Sequence, residues 1–362
     1  MTLTTPLKLL LRILLQPRRD ATAFPTAKAY QDSVKYITAF RRYAREKLCE
    51  WERQGHLIAR DCPLCASRST RPRLTTPEGV QYVCCDSCGF VFMNPAPSRP
   101  AYNRMYESSY DGLLAEWEHL KEENGLSEYL TQHYFGLDVI RRYRTGGKFL
   151  DYGCGSGWIL RLAMQHYDVT GMDIDRNQLA RIREHLHIDS LIEGDITHGL
   201  PRANHGVFDV IHSNQNLEHM LEPRVCVAEW FKGLKKGGIL FIACPNIDSF
   251  AFEVLGGQNS MAAVSHVSLF GPRTIRNLLE SEGFAVEEVK SYDLDLRSVE
   301  YWQYKLRCGA DFEHRHSYYA CPKTMVALGY PLWMATEVYF LFQMIVRLKR
   351  YGNYLYCVAR KS

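Results

Sequence analysis

The spacing of apolar and polar positions divides the chain into three regimes. Over residues 1–60 apolar side chains recur at helical spacing. Leu7, Leu10, Leu11 and Leu14 share one face of a short leading segment, and Tyr30, Val34, Ile37, Phe40 and Tyr43 share one face over 27–54. Residues 61–95 drop this period for Cys, Pro, Ser and Thr and close on CCDSCGFVFMNPAP. Helical spacing returns over 101–145 through Trp117, Leu120, Tyr134, Leu137 and Ile140. From residue 147 short apolar runs alternate with helical patterns, which predicts a parallel sheet covered by helices. The runs are Lys148–Tyr152, Val169–Ile174, Ser190–Glu193, Phe208–Ser213, Ile239–Cys244 and Ala285–Lys290, with a last one at Tyr354–Ala359.

Composition adds little to this picture, but charge distribution adds more. The chain has 362 residues, 46% hydrophobic and 23% charged, enough for one full α/β domain and something smaller. The net charge of +4 is uneven, because residues 1–60 hold 12 Lys and Arg against 5 Asp and Glu. The arm is therefore basic and the remaining body mildly acidic. This suits an arm on an anionic membrane surface or polymer and argues against a basic groove across the body. Residues 3–15 are too short to span a bilayer, and Lys8 and Arg12 interrupt them. They read as an interfacial helix, a helix packed on the body, or a presequence with Asp20 as the only acid in the first 30 residues. Residues 325–346 are long enough to span, but Gly329, Pro331 and Glu337 interrupt them, so a buried or surface-lying helix is expected. Either segment, 1–19 or 325–346, would support peripheral association at the inner face of a membrane. Twelve cysteines without a secreted disulfide pattern point to a reducing, cytoplasmic compartment.

Two constellations carry chemistry. Cys62-Pro-Leu-Cys65 and Cys85-Asp-Ser-Cys88 are CxxC knuckles separated by 19 residues, the spacing of a four-thiolate zinc site. Gly89 permits the turn after the second knuckle, and Cys84 is a spare beside the ligand set. Four thiolates would leave no open position on the metal, so the zinc is expected to be structural. The second constellation is Asp151-Tyr-Gly153-Cys-Gly155-Ser-Gly157, which follows a strand. Glycines there allow a sharp turn and a close approach of backbone to a ligand. Trp158 occupies the place where a dinucleotide fingerprint needs a small residue, which counts against NAD and FAD. Asp173 lies at the end of the second strand, twenty residues after Gly153, where an acid can take both ribose hydroxyls.

The succession from this loop through Asp173, Asp195 in EGDI, FDVI at 208–211, LEH at 217–219 and LKKGG at 234–238 resembles the class I S-adenosylmethionine-dependent methyltransferases. The resemblance implies a seven-stranded, mostly parallel, Rossmann-like α/β sheet with its last strand antiparallel. By that resemblance Asp151, Gly153, Gly155 and Gly157 surround the methionine portion of S-adenosyl-L-methionine, Asp173 binds the ribose, and Asp195 with Ile196 contacts the adenine. The cysteine segment running into such a domain resembles a bacterial group associated with glycan and natural-product biosynthesis, and also zinc-ribbon methyltransferases of ribosomal RNA. The expected organisation is a basic helical arm (1–60), a zinc ribbon (61–100), a helical linker (101–145), the cofactor domain (146–290), a helical insertion acting as lid or membrane-facing surface (291–350), and the final strand (351–362).

The cofactor's sulfonium already activates the methyl group, so the protein must align an acceptor and, for a hydroxyl, remove its proton. His219 and His266 are the candidates, at positions that resemble the acceptor mouth of the family. Each has a plain reading as well, in which it orders a loop. Asn214, Gln215 and Asn246 are candidates to orient the substrate or to serve as turn residues. His314 and His316 belong to the insertion. The expected reaction is O-methylation of a polar small molecule or glycan. Its rivals are an RNA methyltransferase guided by the ribbon and a non-enzymatic scaffold with a retained fold.

Overall fold

The computed structural model describes residues 27–108, 135–195, 199–292 and 352–362. Helix α1 (Ala27–Arg53) buries Ala44 and Trp51, with Phe40, Tyr43 and Leu48 packed beside them. It stops where Gly55 adopts a φ of +68° and His56 donates back to the Trp51 carbonyl. The helix expected over 27–54 is present, and β1 (Leu57–Ile58) follows it near the end of the segment read as the helical arm. Strands β2 (Thr70–Thr75), β3 (Gln81–Cys85) and β4 (Val91–Met93) form an antiparallel meander. Strand β5 (Ala96–Pro97) returns to pair with β1, and α2 (Arg99–Ser108) follows.

The larger layer begins with β6 (Lys148–Tyr152), α3 (Trp158–Ala163), β7 (Asp168–Asp173), α4 (Arg176–Leu186) and β8 (Leu191–Glu193). It continues with β9 (Phe208–Asn214), α5 (Pro223–Gly233), β10 (Leu234–Pro245), α6 (Phe250–Leu255), β11 (Ser268–Leu269), α7 (Pro272–Ser281), β12 (Phe284–Tyr292) and β13 (Tyr354–Lys361). Seven strands join in the order β12-β13-β10-β9-β6-β7-β8. β13 is antiparallel to both its neighbours, and the strands from β10 to β8 are mutually parallel. This is the expected sheet. Its strand order reverses between β6 and β9, which opens a crevice at their carboxyl ends.

Alternation along the strands sends Leu150, Tyr152, Ile211, Leu240 and Ile242 to one face and Phe149, Val210, Phe241 and Ala243 to the other. The first face is covered by α5 and α7 and by the cysteine-bearing segment, and the second by α3, α4 and the helical stretch over 135–141. Strand β10 starts five residues before its expected limit, at Leu234. The polar Lys235-Lys236-Gly237-Gly238 is absorbed as an irregularity between Leu234 and Ile239, where Gly237 has a φ of +74°. Asp209 at the start of β9 ties the strand entrances together: Lys148 N–H and Lys235 Nζ donate to it at 2.9 and 2.7 Å, and Arg144 pairs with it.

The cysteine-bearing meander is not closed on itself. Its edge strand β4 pairs with β11, Phe92 opposite Ser268 and Val91 opposite Leu269, far later in the chain. Expectations for residues 1–26, Trp117, Leu120, Tyr134, Ile196, His314, His316 and the inserted segment 293–351 lie outside the described residues. Among the described residues no helix is long and apolar enough to cross a membrane.

Candidate functional site

Strand β6 delivers the glycine loop to the central crevice. Gly153, Gly155 and Gly157 all have positive φ, at +76°, +48° and +79°. Their reasons differ. A side chain at Gly153 would overlap the Asn216 amide, which donates to the Tyr152 carbonyl at 2.8 Å. A Cβ at Gly157 would meet Ile182 of α4 at 2.9 Å. At Gly155 nothing among the described residues lies within 4 Å of an added Cβ, so the loop presents bare backbone to them there. Asp173 at the end of β7 holds this loop, accepting from Gly155 N–H at 2.8 Å and from Asp175 N–H at 3.0 Å. Burial raises the Asp173 carboxyl above its ordinary value, opposed by those two N–H groups. Asp195 is half-buried just past β8, with its carboxylate 3.2 Å from the amide of Asn103 on α2.

Asp151 lies beneath the loop, inside the sheet. The β6–β9 register sets it beside His212, and its Oδ1 is 2.7 Å from His212 Nδ1. The imidazole is stacked between Phe149 and Phe241, with ring centroids 5.9 and 5.3 Å away. Burial raises the Asp151 carboxyl, and His212 opposes the rise. Nothing in the sequence distinguishes His212 from a core histidine, because only the strand register reveals its partner.

His219 and His266, distant in sequence, come together at a centroid distance of 4.7 Å. His219 ends the 3-10 turn Leu217–His219 after β9, and its Nδ1 lies 2.9 Å from the Ser265 carbonyl and 2.9 Å from Tyr106 Oη. His266 Nδ1 lies 2.8 Å from the Met261 carbonyl. A carbonyl can only accept, so each ring carries its proton on Nδ1 and keeps a lone pair on Nε2. Burial, together with the neighbouring His266, draws His219 down to about 3, and burial draws His266 down to about 4. Both rings are neutral at physiological pH. Glu218 was not singled out by sequence reasoning, yet it joins this group: its carboxylate lies with one nitrogen of each ring inside a 4.8 Å span. Glu218 is 1% exposed, and burial pushes it up to about 8. Asn246 takes no part in this group, since its amide donates to the Gly352 carbonyl ahead of β13.

The four knuckle cysteines also converge. Cys62 Sγ lies 3.6 Å from Cys88 Sγ and Cys65 Sγ 3.5 Å from Cys85 Sγ, with all four inside 4.8 Å. Each knuckle closes through a matching turn, Ala66 N–H to Cys62 O and Gly89 N–H to Cys85 O, with φ of +57° and +78°. Burial raises Cys62 to about 11; at Cys85 burial is opposed by the Cys88 and Ser87 N–H groups together with the Cys65 and Cys88 thiols, which take it to about 7. Cys84 alternates to the opposite face of β3 and packs in another core cluster. The set has the donor chemistry of a tetrahedral thiolate site.

Residues 130–289 match the family described as "Methyltransferase domain". A "Ubiquinone biosynthesis O-methyltransferase" of Aliivibrio fischeri is 30% identical over 175 residues, covering 46% of this chain and 72% of that protein. A protein named "Probable S-adenosylmethionine-dependent methyltransferase" of Mycolicibacterium smegmatis is 28% identical over 170 residues, 47% of this chain. An O-methyltransferase of the ubiquinone pathway from Psychrobacter arcticus is 25% identical over 170 residues, 43% of this chain. The match spans 63% and 66% of the lengths of these last two relatives. A solved S-adenosylmethionine-dependent methyltransferase from Archaeoglobus fulgidus superposes with a TM-score of 0.43 at 15% identity, over 64% of this chain and 93% of that one.

Proposed function

The chain belongs to the class I S-adenosylmethionine-dependent methyltransferases, and on that premise we propose that it methylates a hydroxyl of a polar small molecule or glycan. The observation that carries the reading is the bare backbone at Gly155, held by Asp173 at the carboxyl ends of β6 and β7. A Cβ there would fill the cradle, and the residues around it fit the cofactor. Gly153, Gly155 and Gly157 would face its methionine portion with the Asp151 charge beneath them. Asp173 would take the ribose, and Asp195 with Ile196 the adenine. When bound, S-adenosylmethionine supplies a methyl group activated on its sulfonium. The acceptor oxygen takes that methyl, its proton leaves, and S-adenosylhomocysteine remains.

Oxygen is favoured as the acceptor atom because His219 and His266 are neutral and each keeps an Nε2 lone pair to receive a hydroxyl hydrogen bond. The O-methyltransferase names of several relatives point the same way. The four cysteines fit a structural zinc, which would clamp the two knuckles and leave no coordination site for substrate. Residues 1–19 or 325–346 would rest the protein on the inner face of a membrane from the cytoplasmic side.

The test incubates the full chain and S-adenosylmethionine with metabolite and glycan extracts and follows product masses. One acceptor should gain a single CH2 with matching S-adenosylhomocysteine, and the Asp173→Ala protein should give neither. Absence of both products from the unaltered chain across all extracts contradicts the reading.

A further inference from the structure

Glu218 presents a problem that the cofactor site does not solve. Neither of its carboxylate oxygens has a hydrogen-bond partner among the described residues, although the side chain is 1% exposed. A buried carboxylate left alone is costly, and such groups are ordinarily paired or ligate a cation. Two imidazoles share its space, and both are already committed at Nδ1 to backbone carbonyls of Ser265 and Met261. Tying one ring nitrogen to a carbonyl is how a ligating histidine is oriented, because it fixes the tautomer and leaves Nε2 for the metal.

The backbone that carries these rings is clamped as a ligand shell would be. Tyr102 Oη donates to the Ser265 carbonyl at 2.6 Å and reaches the His219 carbonyl at 2.9 Å. Tyr82 Oη shares its hydrogen between the carbonyls of Ala263 and His266 at 2.7 and 2.8 Å. Ser268 Oγ donates to the Met220 carbonyl at 2.8 Å, joining the two loops.

We propose that Glu218, His219 and His266 form a divalent-cation site, separate from the four cysteines, on the acceptor side of the cofactor crevice. Two imidazoles and one carboxylate suit a first-row divalent ion and leave positions open for oxygen ligands. With the ion held, the acceptor hydroxyl would coordinate to it in place of a direct hydrogen bond to the imidazoles, and its proton would pass to solvent. The preferred acceptor carries two adjacent oxygens that can chelate the ion. This role in transfer rests on the methyltransferase reading, whereas cation binding is tested without it.

Mn2+ is the probe, because it is seen directly by electron paramagnetic resonance and is a poor match for a soft four-thiolate site. Added to the full zinc-loaded chain, one equivalent of Mn2+ should lose its free-ion signal. Glu218→Gln and His266→Gln should each restore that signal, while S-adenosylmethionine affinity by calorimetry stays unchanged. A free-ion signal undiminished by the unaltered chain overturns the proposal, as does Mn2+ uptake that both variants retain. If neither variant folds, electron spin-echo modulation of Mn2+ on the unaltered chain decides: two histidine nitrogens support the site, and none overturns it. Cation binding without S-adenosylmethionine binding would sink the methyl-transfer reading alone.

Discussion

The Tyr82 phenol, on the cysteine-bearing sheet, donates to the carbonyl of His266 at 2.8 Å. The sheet that carries two of the four cysteines thus also sets the backbone of an acceptor-side histidine. Two residues on, that backbone becomes β11 and joins the same sheet. Tyr82→Phe would take its donor from the His266 carbonyl, while the Ala263 carbonyl keeps the His266 N–H, at a cost of about 1–3 kcal/mol. Chemical denaturation should register that loss. Methyl transfer should fall while S-adenosylmethionine affinity holds, and equal activity in both proteins would show that the clamp is unnecessary.

The same linkage sets what removal of zinc would do. Metal analysis should find about one zinc per chain on four thiolates. Cys62→Ser or Cys88→Ser should release it and loosen the meander, and with it β11 and His266. Cofactor binding on the far side of β6 should survive, and methyl transfer should not. Full zinc content in either variant would mean that the ligand set is wrong.

Asp151 and His212 form a buried hydrogen-bonded pair within the sheet. His212→Phe keeps the stack with Phe149 and Phe241 but strands the carboxylate, which should lower unfolding free energy by about 3–5 kcal/mol. Adding Asp151→Val should recover part of the loss. If urea titrations show the two changes to be additive, the pair is uncoupled.

Asp209 is expected to make stability depend on acid. Burial raises its carboxyl, but Lys235, the Lys148 N–H and Arg144 together hold it below the ordinary carboxylate value. A depressed folded pKa stabilises the protein above the unfolded value, about 3.9, and that contribution is lost as pH falls through the lower, folded value. Asp209→Asn should therefore cost about 1–2 kcal/mol at neutral pH, kept modest because Arg144 and Lys235 are each near half exposed. The gap should close below about pH 4. Urea unfolding at stepped pH checks this, and a gap that persists in acid would assign it to packing.

The parallel strands were readable because they are buried on both faces and form short apolar runs, as in Phe208–Ser213. The glycine loop was readable because backbone demands show as residue type. Strand β10 was read short because Lys235-Lys236-Gly237-Gly238 looks like a loop until the neighbouring strand holds it. His212 and Glu218 could not be found from sequence: one acquires meaning only through register and the other only through burial without a partner. β11 is hidden for a similar reason, being two residues, Ser268 and Leu269, that pair with Phe92 and Val91 far earlier in the chain. His219 and His266 are named together only through the resemblance, and the fold sets their rings 4.7 Å apart.

The central claim is that the loop from Gly153 to Gly157, with Asp173, holds S-adenosylmethionine. Titration calorimetry of the full chain with that cofactor tests it most directly. The account predicts one site per chain, weakened by about 1.5–3 kcal/mol in Asp173→Ala, roughly a tenfold to hundredfold loss. It also predicts that binding is blocked in Gly155→Val, where a side chain enters the open space. Absence of binding to the unaltered chain, or unchanged affinity in both variants, would contradict it.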